Sequence, residues 1–229
     1  MRVRRCRRAR DGTPTWRSFQ RKEDEMLKGR IRSYVILLLI MISASWVHGA
    51  DSKVLIQENE YGGISEEQTF HEGDKTYDAD GIGRSISHYG SPNKIRTLEM
   101  YFTDVSSGKD GISHLVRRHD ADGKLTRTEF FYTDAFSKQN GVTQLAVYYG
   151  AEGAKTHEEY LFTEDYSRKH KVLKRLRYYD GEGLKSRDEL YSTVEYSTIS
   201  GISKVVRNYD RDGKTGKVEV YGADGKLVN

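Results

Sequence analysis

The sequence predicts an all-β protein, an antiparallel meander of about five β-hairpins with a period of 30 residues. Three observations lead there. The segments beginning at Gly81, Gly111, Gly141, Lys171 and Gly201 align without a gap, and a fixed period of this size marks stacked supersecondary units. Within each unit two runs favour strands, as in "ISHLVRRH" (Ile112–His119) and "LTRTEFFYT" (Leu125–Thr133), which are rich in aromatic, Thr and β-branched residues. Between the runs lies a turn signal, "DADGK" (Asp120–Lys124), which returns as "DGEGL" from Asp180 and "DRDGK" from Asp210.

In chain order, residues 1–25 read as an over-extended N-terminus, because Met26 opens a conventional leader. The apolar run "YVILLLIMI" (Tyr34–Ile42) follows Lys28, Arg30 and Arg32 and precedes "SASWVHGA". A basic region, an apolar stretch and small residues near Gly49 and Ala50 describe a signal peptide over residues 26–49. Even extended to Val47 the apolar run is 14 residues, short of the ~20 that span a bilayer. No transmembrane span is therefore expected in the mature chain.

Removing the leader reverses the charge. Residues 1–49 hold 12 of the 38 Lys/Arg and 4 of the 34 Asp/Glu, so the remainder carries 26 basic against 30 acidic side chains, a net of −4. Nucleic-acid recognition, which needs a basic surface, loses its support. A protein or a cell-envelope glycan is the expected partner. Cys6, Trp16 and Trp46 also lie in the leader, so the mature chain has no disulfide, thiolate chemistry or cysteine metal site. That composition suits a periplasmic or cell-surface location.

Residues 50–80 read as a degenerate partial repeat, and residues 81–229 as five full ones. The Asp-x-x-Gly turn fits a three-residue loop whose glycine takes a positive φ, and Gly123, Gly153, Gly183 and Gly213 occupy that place. The first repeat uses Asn93 there, beside Pro92. A second turn of about six residues, such as "VSSGKD" or "AFSKQN", leads to the next unit, and no helix is expected. A turn pairing Asp120 with Lys124 puts Ile112, Val116, Phe130 and Tyr132 on one buried face. The same register puts Arg117, Arg127 and Glu129 on a solvated face, with the tyrosines at repeat position 9. A sheet with one apolar face must curl, close, fold into layers or dock. An elongated or curled sheet is expected, with a closed barrel or sandwich as the alternative.

Four candidate sites arise. "NYDRDGKTGKVE" (Asn208–Glu219) has the spacing of a calcium loop, with Asn208, Asp210, Asp212 and Glu219 as ligands. It joins two strands where such a loop joins helices, and the sister repeats carry Arg118, Tyr148 or Tyr178 at the first ligand position; a plain turn is the competing assignment. The histidines His71, His88, His114, His119, His157 and His170 occupy scattered repeat positions and form no ligand motif. Glutamate recurs at position 19 as Glu99, Glu129, Glu159, Glu189 and Glu219. Carboxylates such as Glu129 and Glu159 would serve glycoside hydrolysis, but five equivalent copies point to a structural row. Finally, Tyr89, Tyr149, Tyr179 and Tyr209 share position 9, and such a stripe either stacks on a sugar or peptide or packs across strands.

The segments "YYDGEGLKSRDELY" (Tyr178–Tyr191) and "NYDRDGKTGKVEVY" (Asn208–Tyr221) resemble the Tyr-Asp-x-x-Gly-Lys hairpins of bacterial MORN-variant repeats and, more distantly, tyrosine–aspartate (YD) repeats. The likeness covers residues 81–229, with a longer period and without the Gly-x-Gly of ordinary MORN units. It implies an antiparallel β-repeat used for binding or structure, with no catalytic residues to carry over. The expected function is an exported, non-enzymatic binding or structural module of the bacterial cell envelope. The alternatives are a secreted carbohydrate-active enzyme and a calcium-dependent surface module.

Overall fold

A computed structural model describes residues 53–58, 63–71, 80–90 and 94–228; the extended N-terminus and signal peptide expected over residues 1–49 lie outside them. The hairpin β1 (Lys53–Glu58) and β2 (Ile64–Phe70) corresponds to the partial repeat. Five hairpins follow: β3 (Ile82–Gly90) with β4 (Lys94–Phe102), β5 (Ile112–His119) with β6 (Leu125–Tyr132), and β7 (Val142–Tyr149) with β8 (Lys155–Phe162). The last two are β9 (Val172–Tyr179) with β10 (Lys185–Ser192), and β11 (Ile202–Tyr209) with β12 (Thr215–Gly222). All 12 strands pair antiparallel in chain order into a single sheet. Among the described residues β1 pairs only with β2, and β12 pairs with β11 and otherwise only through an isolated bridge from Tyr221 to Leu227, so the sheet is open, and the barrel and sandwich alternatives fall away. No helix among the described residues is long and apolar enough to cross a membrane.

The tight turns form as their sequence dictates. Gly123, Gly153, Gly183 and Gly213 have φ of 83°, 78°, 77° and 74°, a region open to glycine at no steric cost. The Asp120 carboxylate accepts from the backbone N–H groups of Asp122 and Lys124, both at 2.9 Å. That Asx geometry explains the aspartate that begins the turn.

The second connection is a helix, contrary to expectation. Each full repeat but the last ends in seven helical residues: α1 (Asp104–Asp110), α2 (Asp134–Asn140), α3 (Glu164–His170) and α4 (Val194–Ser200). Thr103, Thr133, Thr163 and Thr193 are the N-caps, each accepting from the backbone N–H three residues on. Gly111, Gly141 and Gly201 close three of the helices in the left-handed conformation, and Lys171 closes the other at φ 62°. A segment this short has marginal helicity alone; the two caps and the flanking strands hold it.

The register also differs from expectation, and the difference decides the faces. Ile112 does pair with Tyr132, and His119 with Leu125. Between them the ladder is displaced by one residue: Leu115 pairs with Phe130, Val116 with Glu129 and Arg117 with Thr128. Two bulges cause this, at Ser113 on one strand and Thr126 on the other. The hydroxyl of Ser113 donates to the Phe131 carbonyl and that of Thr126 to the Arg118 carbonyl, both at 3.0 Å. Equivalent shifts occur in every full hairpin. A one-residue slip moves a strand's side chains to the other face, so Arg117 joins Phe130 while Val116 joins Glu129. Glu129, expected in solvent, is 5% exposed.

The apolar core lies towards the N-terminal half of the sheet. Ile82, Met100 and Leu115 are buried, with Leu98, Phe102 and Phe130 packed on them. Farther along, the same face holds Arg175, Arg177 and Asp188, all buried. The single sheet thus covers one face partly with apolar side chains and partly with an ionic cluster.

Candidate functional site

The two faces present different chemistry. On the first, glutamates alternate with apolar residues along the hydrogen-bonding direction: Glu99 pairs with Val116, Val116 with Glu129, Glu129 with Ala146, and Ala146 with Glu159. Successive glutamates are therefore two strands, roughly 10 Å, apart. Each is matched by neighbouring cations or phenols. Glu129 accepts from Arg118 Nε at 2.8 Å and Gln144 Nε2 at 3.1 Å, with Arg127 Nη2 at 2.7 Å. Glu159 takes Lys174 Nζ at 2.9 Å and the Tyr148 hydroxyl at 3.2 Å. Glu189 has Arg187 Nη2 at 3.0 Å and the Tyr191 hydroxyl at 2.7 Å. Burial opposes the charge on Glu159, but Lys174 and the Tyr148 hydroxyl outweigh it and lower its pKa.

Aromatic stacks flank this row. The His114 ring lies between Tyr101 and Phe131, with centroids 5.1 and 4.2 Å away. His157 lies between Tyr148 and Tyr178, at 4.1 and 5.5 Å. Burial in these stacks lowers both imidazole pKa values, so both rings are predominantly neutral at neutral pH.

The opposite face carries the buried ionic cluster. Asp188 is 0% exposed; Arg175 Nη2 and Arg177 Nε donate to its two oxygens, the second at 3.2 Å, and the Tyr209 hydroxyl adds a contact at 2.8 Å. Burial disfavours the carboxylate, yet the two guanidinium groups prevail and hold the Asp188 pKa at about 2. Glu158, 2% exposed, accepts from Lys155 Nζ at 2.8 Å and from the hydroxyls of Tyr160 and Tyr179 at 2.7 and 2.6 Å. Both carboxylates are paired and hydrogen-bonded, the condition under which buried charge is tolerated.

The position-9 tyrosines belong to this second face, not to the glutamate face. Tyr89, Tyr179 and Tyr209 donate to Glu67, Glu158 and Asp188 at 3.0, 2.6 and 2.8 Å. All four tyrosines, Tyr149 included, are half-buried. Burial and the Asp188 carboxylate push the Tyr209 pKa up to about 12.

The calcium candidates do not converge. Asp210 Oδ1 accepts the Lys214 N–H at 2.8 Å and Asp212 Oδ2 lies 3.5 Å from Lys214 Nζ. Glu219, on the glutamate row, meets Lys217 Nζ at 2.7 Å and the Tyr221 hydroxyl at 3.1 Å. The Asn208 amide turns to the Lys217 carbonyl at 3.5 Å. Among the described residues no cluster of three or more His, Cys, Asp or Glu suited to a metal ion occurs.

Sequence reasoning missed the cluster of Glu158, Arg175, Arg177 and Asp188. Glu158 and Asp188 share a column that varies from unit to unit as Leu98, Thr128, Glu158, Asp188 and Val218. The columns of Arg175 and Arg177 also mix residue types, with Leu115, Leu145 and Val205 in the first and Ser87, Val147 and Arg207 in the second, so periodicity carries no signal for the cluster. The bulges had a signal: Ser113, Thr143 and Ser203 share one repeat position, and Thr126, Thr156 and Ser186 another. No protein-family model matches the sequence, and no curated protein is similar to it.

Proposed function

We propose that this chain is an exported, non-enzymatic β-repeat module that binds or scaffolds in the bacterial cell envelope. The observation that carries this reading is the state of the carboxylates. Glu129, Glu158, Glu159, Glu189 and Asp188 each meet cations or phenols of the sheet itself. The pKa values of Glu158, Glu159 and Asp188 are displaced downward, whereas a general acid for glycoside hydrolysis needs one displaced upward. Two extended faces and two sheet edges suit a partner that lies along the sheet. The leader expected over residues 26–49 and the resemblance to MORN-variant hairpins support the location and the class.

Cell fractionation with an antibody to the chain tests the location, and a glycan and peptide array scored for both retention and turnover tests the class. Retention without turnover is expected. Turnover lost in Glu159→Gln would replace the module with an enzyme, and a cytoplasmic product would remove the envelope.

A further inference from the structure

We propose that Arg117, Thr128 and Tyr149 form a binding site for a ligand carboxylate on the face opposite the glutamate row. The sheet supplies its own templates for such a site. Tyr179 lies two residues beyond Arg177, which pairs with Glu158, and its hydroxyl donates to that glutamate at 2.6 Å. Tyr209 lies two beyond Arg207, which pairs with Asp188, and donates to it at 2.8 Å. Tyr89 lies two beyond Ser87, which pairs with Glu67, and donates to it at 3.0 Å.

Tyr149 occupies the same place, two residues beyond Val147, but the partner of Val147 is Thr128. Three tyrosines of the column thus reach a carboxylate, and the register sends this one to a threonine. Arg117 pairs with that same Thr128 across the hairpin and with Leu98 on its other side. Its counterpart Arg177 lies between Glu158 and Asp188.

The polar atoms left over mark the site. Thr128 is 2% exposed, and its hydroxyl and Arg117 Nε are buried without a hydrogen-bond partner among the described residues. Such groups cost stability unless something pairs with them. Thr128 forms the floor, while Arg117 and Tyr149 are half-buried and reach the surface. Burial lowers the Arg117 pKa, the direction that an added anion would reverse.

The charge balance selects the ligand class. Beside Glu158 a second cation, Lys155, comes from the first position of the strand; beside Thr128 that position is Leu125. One guanidinium with a hydroxyl and a phenol suits a singly charged, planar carboxylate, and a phosphate would lack its second cation. The inference gives the binding module proposed above its ligand chemistry and rests on that reading. A module that binds through its glutamate face would survive the failure of this site.

The test uses the full-length chain at constant ionic strength, with chloride replaced by acetate, N-acetylglutamate or glucuronate. Melting temperature and the Arg117 Nε–H resonance are followed. A saturable response above chloride is expected, weakened about tenfold or more by Arg117→Gln, a loss of about 1.4 kcal/mol. A stronger response to N-acetylglutamate assigns the carboxylate to a peptide, and to glucuronate assigns it to a sugar acid. Thr128→Glu installs the carboxylate within the chain; it should melt higher than the parent and give no response. No response above chloride, an equal response in Arg117→Gln, or a response retained in Thr128→Glu overturns the site.

Discussion

Glu129 lies directly across the β5–β6 ladder from Val116, with its carboxylate gripped by Arg118 and Arg127 from either strand. It is 5% exposed, while those two side chains are 51% and 30% exposed. Removing the carboxylate therefore leaves two cations that can turn to water, which keeps the cost below the 3–5 kcal/mol of a fully buried pair. Glu129→Ala is expected to lower stability by about 1–2 kcal/mol in urea denaturation. Phe130→Ala, from a half-buried position against the Ile82–Met100–Leu115 cluster, is expected to cost about 2–3 kcal/mol. A glutamate change with no effect would mean that the row is solvated.

Gly123 isolates the turn. Its φ is 83° and a Cβ there would meet only the Lys94 side chain at 3.8 Å, so backbone conformation alone sets the penalty. Gly123→Val is expected to cost about 1–3 kcal/mol, and Lys124→Val at the exposed neighbour should be near neutral. Equal melting temperatures for the two would remove the turn assignment.

Lys171 is the only non-glycine among the described residues with a positive φ, and it closes α3 where Gly111, Gly141 and Gly201 close the others. Lys171→Gly is expected to stabilise the protein by about 1 kcal/mol, because it removes left-handed strain at a helix end. Among the glycines, Gly111→Ala should cost more than Gly201→Ala. Its Cβ would fall into the Phe136 ring, whereas the Cβ at Gly201 meets open space. Reversal of that order would show that the rings of the next helix do not pack on these caps.

Stability should form a plateau in pH. Burial lowers the pKa values of His114, His119, His157 and His170 below 6.5. As pH falls below 6.5 the unfolded chain takes up protons that the folded one resists, and stability declines. Asp188 adds a second acid loss, beginning near its ordinary 3.8 and complete below about 2. At the alkaline end Tyr209 keeps its proton up to about 12 against an ordinary 10.0; its contribution is whole below 10 and lost as pH rises through 12. Urea midpoints measured across pH should be flat from about 7 to 9.5 and fall on both sides. A midpoint that rises between pH 6.5 and 5 would contradict the burial of the histidines.

The sequence by itself determined the 30-residue period, the hairpin as its unit, the glycine turns and the meander of sequential neighbours. These are local matters: Asp120 bonds its own turn and Gly123 takes the φ that the loop needs, so nearby residues carry the information. The four helices were legible in principle, since Thr133 and Gly141 bracket "DAFSKQN", but a segment of seven residues has too little periodicity to announce itself. The faces were decided only in the tertiary structure. Ser113 and Thr126 bulge because their hydroxyls find carbonyls on the opposite strand, and that pairing moves Val116 beside Glu129 and Arg117 beside Thr128. The ionic cluster around Asp188 was likewise invisible, because it joins side chains from three strands whose proximity exists only once the sheet has formed.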